Sequence, residues 1–179
     1  LLGEINRSII QSYSNKAHYG YLGDSIVGEW VNLGAGTTTS NLKLTYGDVS
    51  TYDLPSNTTV NSNSQFLGTI FGDFVKTGIQ SSFDCGTIIG SFCSLYGQKP
   101  HHKFVPPFTW GEPDDYRSQN IESMINSIER MMKRRNKALS DAQKVVLNTL
   151  YKQGQSYQTI SPKKKTTKAT KSMTELPLT

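Results

Sequence analysis

The chain has 179 residues, 35% of them hydrophobic, and a net charge of +5, which is enough to bury one sizeable core. No run of ~18 apolar residues is present and no basic-then-apolar leader opens the chain, so a membrane-spanning or exported protein is not expected and a cytoplasmic one is. The charge is uneven: Lys163, Lys164, Lys165, Lys168 and Lys171 stand against Glu175 in residues 161–179, which assigns the basicity to a tail and excludes a specific nucleic-acid-binding face.

The chain opens on Leu1-Leu2-Gly3 without an initiator methionine and runs straight into an apolar pattern, so it is expected to be a piece of a larger protein. Leu22-Gly23, Val27-Gly28 and Leu33-Gly34 follow at spacings of five and six residues. From Phe71 to Leu95 the same register returns at every sixth position, through Phe71, Thr77, Phe83, Ile89 and Leu95, with Gly72, Gly78 and Gly90 beside three of them. A period of six is neither helical nor that of a flat strand. It marks a β-solenoid over residues 1–98, in which each short strand forms one side of a triangular coil and each inward residue stacks on its equivalent about 18 residues on. A generic sheet with tight glycine turns is the competing reading, and the number of in-register repeats favours the solenoid.

Residues 43–64 interrupt the repeat with Asp53, Pro55, Ser56 and several asparagines, predicting a protruding loop between coils. Residues 99–118, rich in proline and aromatics, are expected to lie extended across the end of the solenoid and cap it. His101 and His102 in that segment read as solvent-exposed. Residues 119–152 predict two amphipathic helices. The first carries the stripe Ile121, Met124, Ile125, Ile128, Met131 and Met132; the second opens with the capping box Ser140 and Gln143. Residues 153–179 read as a disordered Lys-rich tail. Cys85 and Cys93 stand in an apolar run with no second pair, the pattern of buried free thiols, and no metal site is expected.

One segment carries chemistry: Asn15-Lys16-Ala17-His18-Tyr19-Gly20-Tyr21-Leu22-Gly23-Asp24, followed by Val31-Asn32-Leu33-Gly34-Ala35-Gly36-Thr37 and by Asn41. It resembles the acetyltransferase domain of the bifunctional N-acetylglucosamine-1-phosphate uridylyltransferase/glucosamine-1-phosphate acetyltransferases, most strongly over residues 12–41. Gln65-Phe66-Leu67-Gly68, Lys76-Thr77-Gly78 and Lys103-Phe104-Val105-Pro106 are similar to that family's sugar nucleotidyltransferase branch. The resemblance implies a left-handed parallel β-helix, a handedness that the period alone does not give. It also implies an acetyl-CoA-dependent N-acetyltransferase acting on an amino-sugar phosphate such as glucosamine-1-phosphate, within a parent chain bearing a nucleotidyltransferase domain.

On that resemblance His18 is the general base, and an imidazole, with an ordinary pKa of about 6.5, suits the task. Tyr21, Asn32 and Asn41 become substrate-binding, with Arg7 and Lys43 as cationic partners of the phosphate and Lys76 a contact to the acetyl-CoA phosphates. Amide donors on a rigid coil would stabilise the developing oxyanion. The resemblance further implies a homotrimer with sites between subunits. Asn6 stands where the family carries a substrate-binding lysine, and this departure supports the rival reading: a non-catalytic trimerisation or regulatory β-helix of a sugar-phosphate nucleotidyltransferase.

Overall fold

A computed structural model describes residues 1–158; the lysine-rich segment lies outside the described residues. The chain winds as a parallel β-solenoid of three-sided coils. One side is built from Ile9–Ile10, Ile26–Val27, Ile70–Phe71, Ile88–Ile89 and Phe104–Val105. The second is Asn15–Lys16, Asn32–Leu33, Lys76–Thr77, Ser94–Leu95 and Thr109–Glu112, and the third Glu4–Asn6, Tyr21–Gly23, Thr38–Thr39, Ser82–Phe83 and a single bridge at His101. Equivalent positions are 17 residues apart in the first coils, 44 apart across the insertion and 18 apart after it.

The inward residue of each rung forms the core. Leu22, Val27, Leu33, Phe71, Phe83, Ile89, Leu95 and Val105 are all buried in one cluster. Thr77 occupies an inward position because its hydroxyl has partners there: it accepts from the Gly34 N–H at 2.9 Å and meets the Thr37 hydroxyl at 2.7 Å. On the third side the Thr39 hydroxyl takes the place of a backbone ladder, accepting from Gly23 N–H at 3.3 Å and donating to the Tyr21 carbonyl at 3.5 Å. Cys85 and Cys93 are buried free thiols, and burial pushes the Cys93 thiol up to about 12.

A second order, invisible to the six-residue period, runs along the corner between the first two sides. Tyr13, Trp30, Phe74, Phe92 and Phe108 all hold φ between 58° and 65°, a region most side chains avoid. Their rings stack in series at centroid distances of 4.2, 6.1, 5.2 and 4.9 Å, within 11° of parallel. Stacking and shared burial offset the backbone strain. The two helices dock on this ladder: α1 (Ile121–Lys133) buries Met124, Ile128 and Met132, and α2 (Asp141–Gln158) adds Leu147. Asn120 caps α1 by accepting from Ser123 N–H at 2.9 Å, and the Ser140–Gln143 capping box forms at the start of α2.

Several expectations are revised. Residues 42–67 do not simply protrude: a hairpin of Ser50–Asp53 against Thr58–Asn61 leans back on the solenoid, Val49 is fully buried, and Tyr52 stacks on Phe104 at 4.5 Å. The segment after 99 supplies a rung to each side rather than lying across the end. A strand at Asp115–Ser118 then pairs antiparallel with Thr109–Glu112, closing the edge that a last coil would expose. His101 is not solvent-exposed but 3% accessible, because its ring continues the third-side stack on Phe83 at 4.9 Å and its Nδ1 meets the Tyr116 hydroxyl at 2.6 Å. Helix α2 runs to Gln158, past the boundary that composition sets at 153.

Two outcomes follow from this packing. A Cβ at Gly68, where the chain re-enters the solenoid, would overlap the Gly23 carbonyl oxygen; Gly68→Ala is expected to cost about 1–3 kcal/mol in urea unfolding. Burial, with a smaller contribution from His102, lowers His101 from 6.5 to about 4. The folded state therefore keeps it neutral while the unfolded chain takes a proton below its ordinary value. Stability is expected to be full above pH 6.5 and to fall by up to about 3 kcal/mol as pH drops to 4, and His101→Phe should flatten that slope in denaturation measured across the range.

Candidate functional site

Left-handed backbone at the corner between the third and first sides places Arg7 (φ 43°) and Asp24 (φ 48°) at equivalent positions of successive coils. They form a forked pair, with Arg7 Nε to Asp24 Oδ1 at 2.7 Å and Nη2 to Oδ2 at 2.9 Å. Asn41 continues the column, its Nδ2 donating to Asp24 Oδ2 at 2.5 Å and to the Tyr21 hydroxyl at 2.9 Å. The Arg7 guanidinium, opposed by partial burial and helped by Asn41, holds the Asp24 carboxyl below its usual range, and Asp24 in turn raises Arg7. Phe66, at the end of the insertion, lies 5.2 Å beneath the Arg7 guanidinium.

This wiring determines what each group can offer a ligand. Both Asn41 side-chain N–H groups are spent inside the network, which leaves its Oδ1 as the acceptor it can offer a ligand. The Tyr21 hydroxyl, accepting from Asn41, keeps its proton for a ligand. Arg7 retains one nitrogen, Nη1, beyond those engaged with Asp24.

His18 occupies the corner between the second and third sides, its side chain exposed. Lys16 anchors that turn from inside: only 1% accessible at the inward position of its rung, it donates to the His18 carbonyl at 2.8 Å. The imidazole is thus held by its backbone on a stiff corner. Next to it Tyr19 bonds Gln80 at 2.5 Å, tying this coil across the insertion.

Asn32 and Lys76 lie elsewhere, on the outward face of the second side, where they are register partners. They line a cleft of about 330 Å³ between that wall and α1, with Tyr13, Asn15, Trp30, Ser127, Arg130, Arg134 and Arg135 also on its walls. Burial lowers Lys76, whose Nζ donates to the Ser127 hydroxyl at 3.2 Å. Lys43 stands half-buried at the root of the insertion, its carbonyl accepting from Tyr46 N–H at 3.0 Å. The structure therefore brings Arg7, Tyr21 and Asn41 together and sets Asn32 with Lys76 on a different side.

Sequence reasoning passed over Asp24 as the hub, although its distance of 17 residues from both Arg7 and Asn41 equals one short coil. Among the described residues, no group of three or more His, Cys, Asp or Glu is arranged to hold a metal ion, and no helix is long and apolar enough to cross a membrane.

No family model matches the chain. It is 40% identical over 94 residues to the bifunctional protein GlmU of Methanocaldococcus jannaschii, a match covering 50% of this chain and 21% of that protein. Identity to GlmU of Methanococcus aeolicus is 44% over 88 residues, covering 49% and 21%. A bifunctional sugar-1-phosphate nucleotidylyltransferase/acetyltransferase of Sulfurisphaera tokodaii is 33% identical over 93 residues, covering 52% and 23%. A solved Arabidopsis UDP-N-acetylglucosamine acyltransferase aligns over 89% of this chain and 90% of its own at 13% identity and a TM-score of 0.21, too loosely to bear on the fold. The match thus spans about a fifth of the length of these curated relatives, and over about half of its own length the chain is related to the GlmU-type bifunctional nucleotidylyltransferase/acetyltransferases.

Proposed function

We propose that this chain is an acetyl-CoA-dependent N-acetyltransferase acting on an amino-sugar phosphate of the glucosamine-1-phosphate kind, and part of a longer sugar-nucleotide enzyme. The observation that carries the reading is the Arg7–Asp24–Asn41–Tyr21 network on the wall that also presents His18. In this mechanism the sugar amine attacks the thioester carbonyl and His18 takes the amine proton. The tetrahedral intermediate then collapses with loss of the coenzyme A thiolate, to which the proton passes. The Tyr21 hydroxyl and the exposed Asn32 amide are the donors suited to sugar oxygens or the oxyanion. The spare Arg7 nitrogen and Lys43 face the sugar phosphate, and Lys76 serves the phosphates of acetyl-CoA.

Because Asn32 and Lys76 stand on one side of the prism and Tyr21 and Asn41 on another, a complete site on this reading draws on neighbouring subunits of a homotrimer. The outward column of the first side supports such an assembly. It is apolar from end to end, through Ile9, Ile26, Ile70, Ile88 and Phe104, with Ile9 62% and Ile26 42% exposed. The same column supports the rival reading of a non-catalytic trimerisation module, which the asparagine at position 6 favours.

Thiol release from acetyl-CoA in the presence of glucosamine-1-phosphate separates the two readings. The wild type is expected to exceed His18→Ala by about 10²–10⁴-fold; equal background rates would leave the scaffold. In sedimentation, the wild type should run at three times the chain mass and the Ile9→Lys/Ile26→Lys variant as a monomer, whichever reading of the chemistry holds.

A further inference from the structure

We infer that the cleft between the second side of the solenoid and α1 is a binding site for a phosphate-bearing ligand carrying two or more negative charges. Four cationic side chains converge on it: Lys76 from the strand wall and Arg130, Arg134 and Arg135 from the end of α1. No residue lining the cleft is Asp or Glu. The neighbouring carboxylate on α1, Glu129, is committed to Lys144 at 2.7 Å. Among the described residues none of the four cations forms an ion pair.

Arginines at a helix C-terminus are favourable against its dipole and by themselves need no ligand. Lys76 is different. It comes from a strand, is half-buried, and has only the neutral Ser127 hydroxyl as partner at 3.2 Å. A desolvated cation facing three further positive charges is unfavourable until an anion enters. The remaining lining suits a phosphate ester: Asn15 and Asn32 supply neutral hydrogen-bonding groups on the same strand wall, and the Tyr13–Trp30 stack closes one end with an apolar surface. Guanidinium forks match phosphate oxygens two at a time, while lysine meets them as a point charge.

The inference stands on the cleft itself; the acetyl-transfer reading enters only through two sources of the phosphate, the diphosphate of coenzyme A and the phosphate of an amino sugar. Inorganic pyrophosphate is the first probe, titrated into the 179-residue chain by calorimetry. Trp30 fluorescence follows the same titration in a Trp110→Phe background, where it is the only tryptophan. Saturable binding that weakens with added salt is expected, and Arg130→Gln/Arg134→Gln should lose affinity at least tenfold. Lys76→Met should do the same while keeping the unfolding midpoint at or above that of the wild type, because a half-buried charge with only a neutral partner has been removed. Arg117→Gln, which alters a residue paired with Asp115, should bind as the wild type does. Coenzyme A and glucosamine-1-phosphate are then competed against pyrophosphate, and the stronger competitor identifies the source. Absence of saturable binding for all three probes, or unchanged affinity in both cleft variants, would overturn the inference. Binding is read without turnover, so a chain that transfers no acetyl group can still pass this test, and an active one can fail it.

Discussion

Everything in this molecule depends on coils of nearly constant length stacking in register. Parallel rungs about 4.8 Å apart put chemically equivalent positions directly above one another, so a residue's neighbours are set by what stands one coil before and after. The inward positions become a hydrocarbon column, one corner becomes an aromatic ladder, and another becomes the Arg7–Asp24–Asn41 column. The insertion of residues 42–67 respects this rule because its neck is pinned: Leu42 bridges Phe66, and Leu67 N–H donates to the Asn41 carbonyl at 3.0 Å, returning the chain to the coil it left.

The same stacking explains how a rigid polar site arises on a narrow wall. Asp24 accepts from both neighbours in its column, which orients the Asn41 amide and, through it, the Tyr21 phenol. None of these side chains needs to rearrange to present its remaining donor or acceptor, the condition under which polar groups assist a reaction most. His18 is free of side-chain partners among the described residues, yet its backbone is fixed from within by Lys16.

The solenoid was legible because inward residues must repeat with the strand, and Phe71, Thr77, Phe83, Ile89 and Leu95 do. The helices were legible from the Met-containing stripe and the Ser140 capping box. The aromatic ladder was not, since its rungs fall 17, 44, 18 and 16 residues apart, and the insertion hides the spacing from any short window. His101 was misjudged for a related reason: beside Pro100, His102 and Lys103 it has polar surroundings in the sequence, and only the stacking register reveals it as an inward rung. Of the site, the residues on one corner column could be grouped from a 17-residue spacing. The separation of Asn32 from Asn41 by a turn of the prism could not, because sequence distance along a coil does not report which way a short strand faces.

Solenoids whose units touch only their neighbours can open from either end, one unit at a time. The helices change that here. Trp30, Phe74, Phe92 and Phe108 come from four successive coils; Trp30, Phe92 and Phe108 belong to the cluster in which Met124, Ile128, Met132 and Leu147 are buried, and Phe74 packs against it. α1 and α2 therefore act as a splint laid along the ladder, and peeling away a single coil means breaking the helix packing shared by the others. Packing shared between the helices and four coils couples those coils to one another and opposes their opening one at a time.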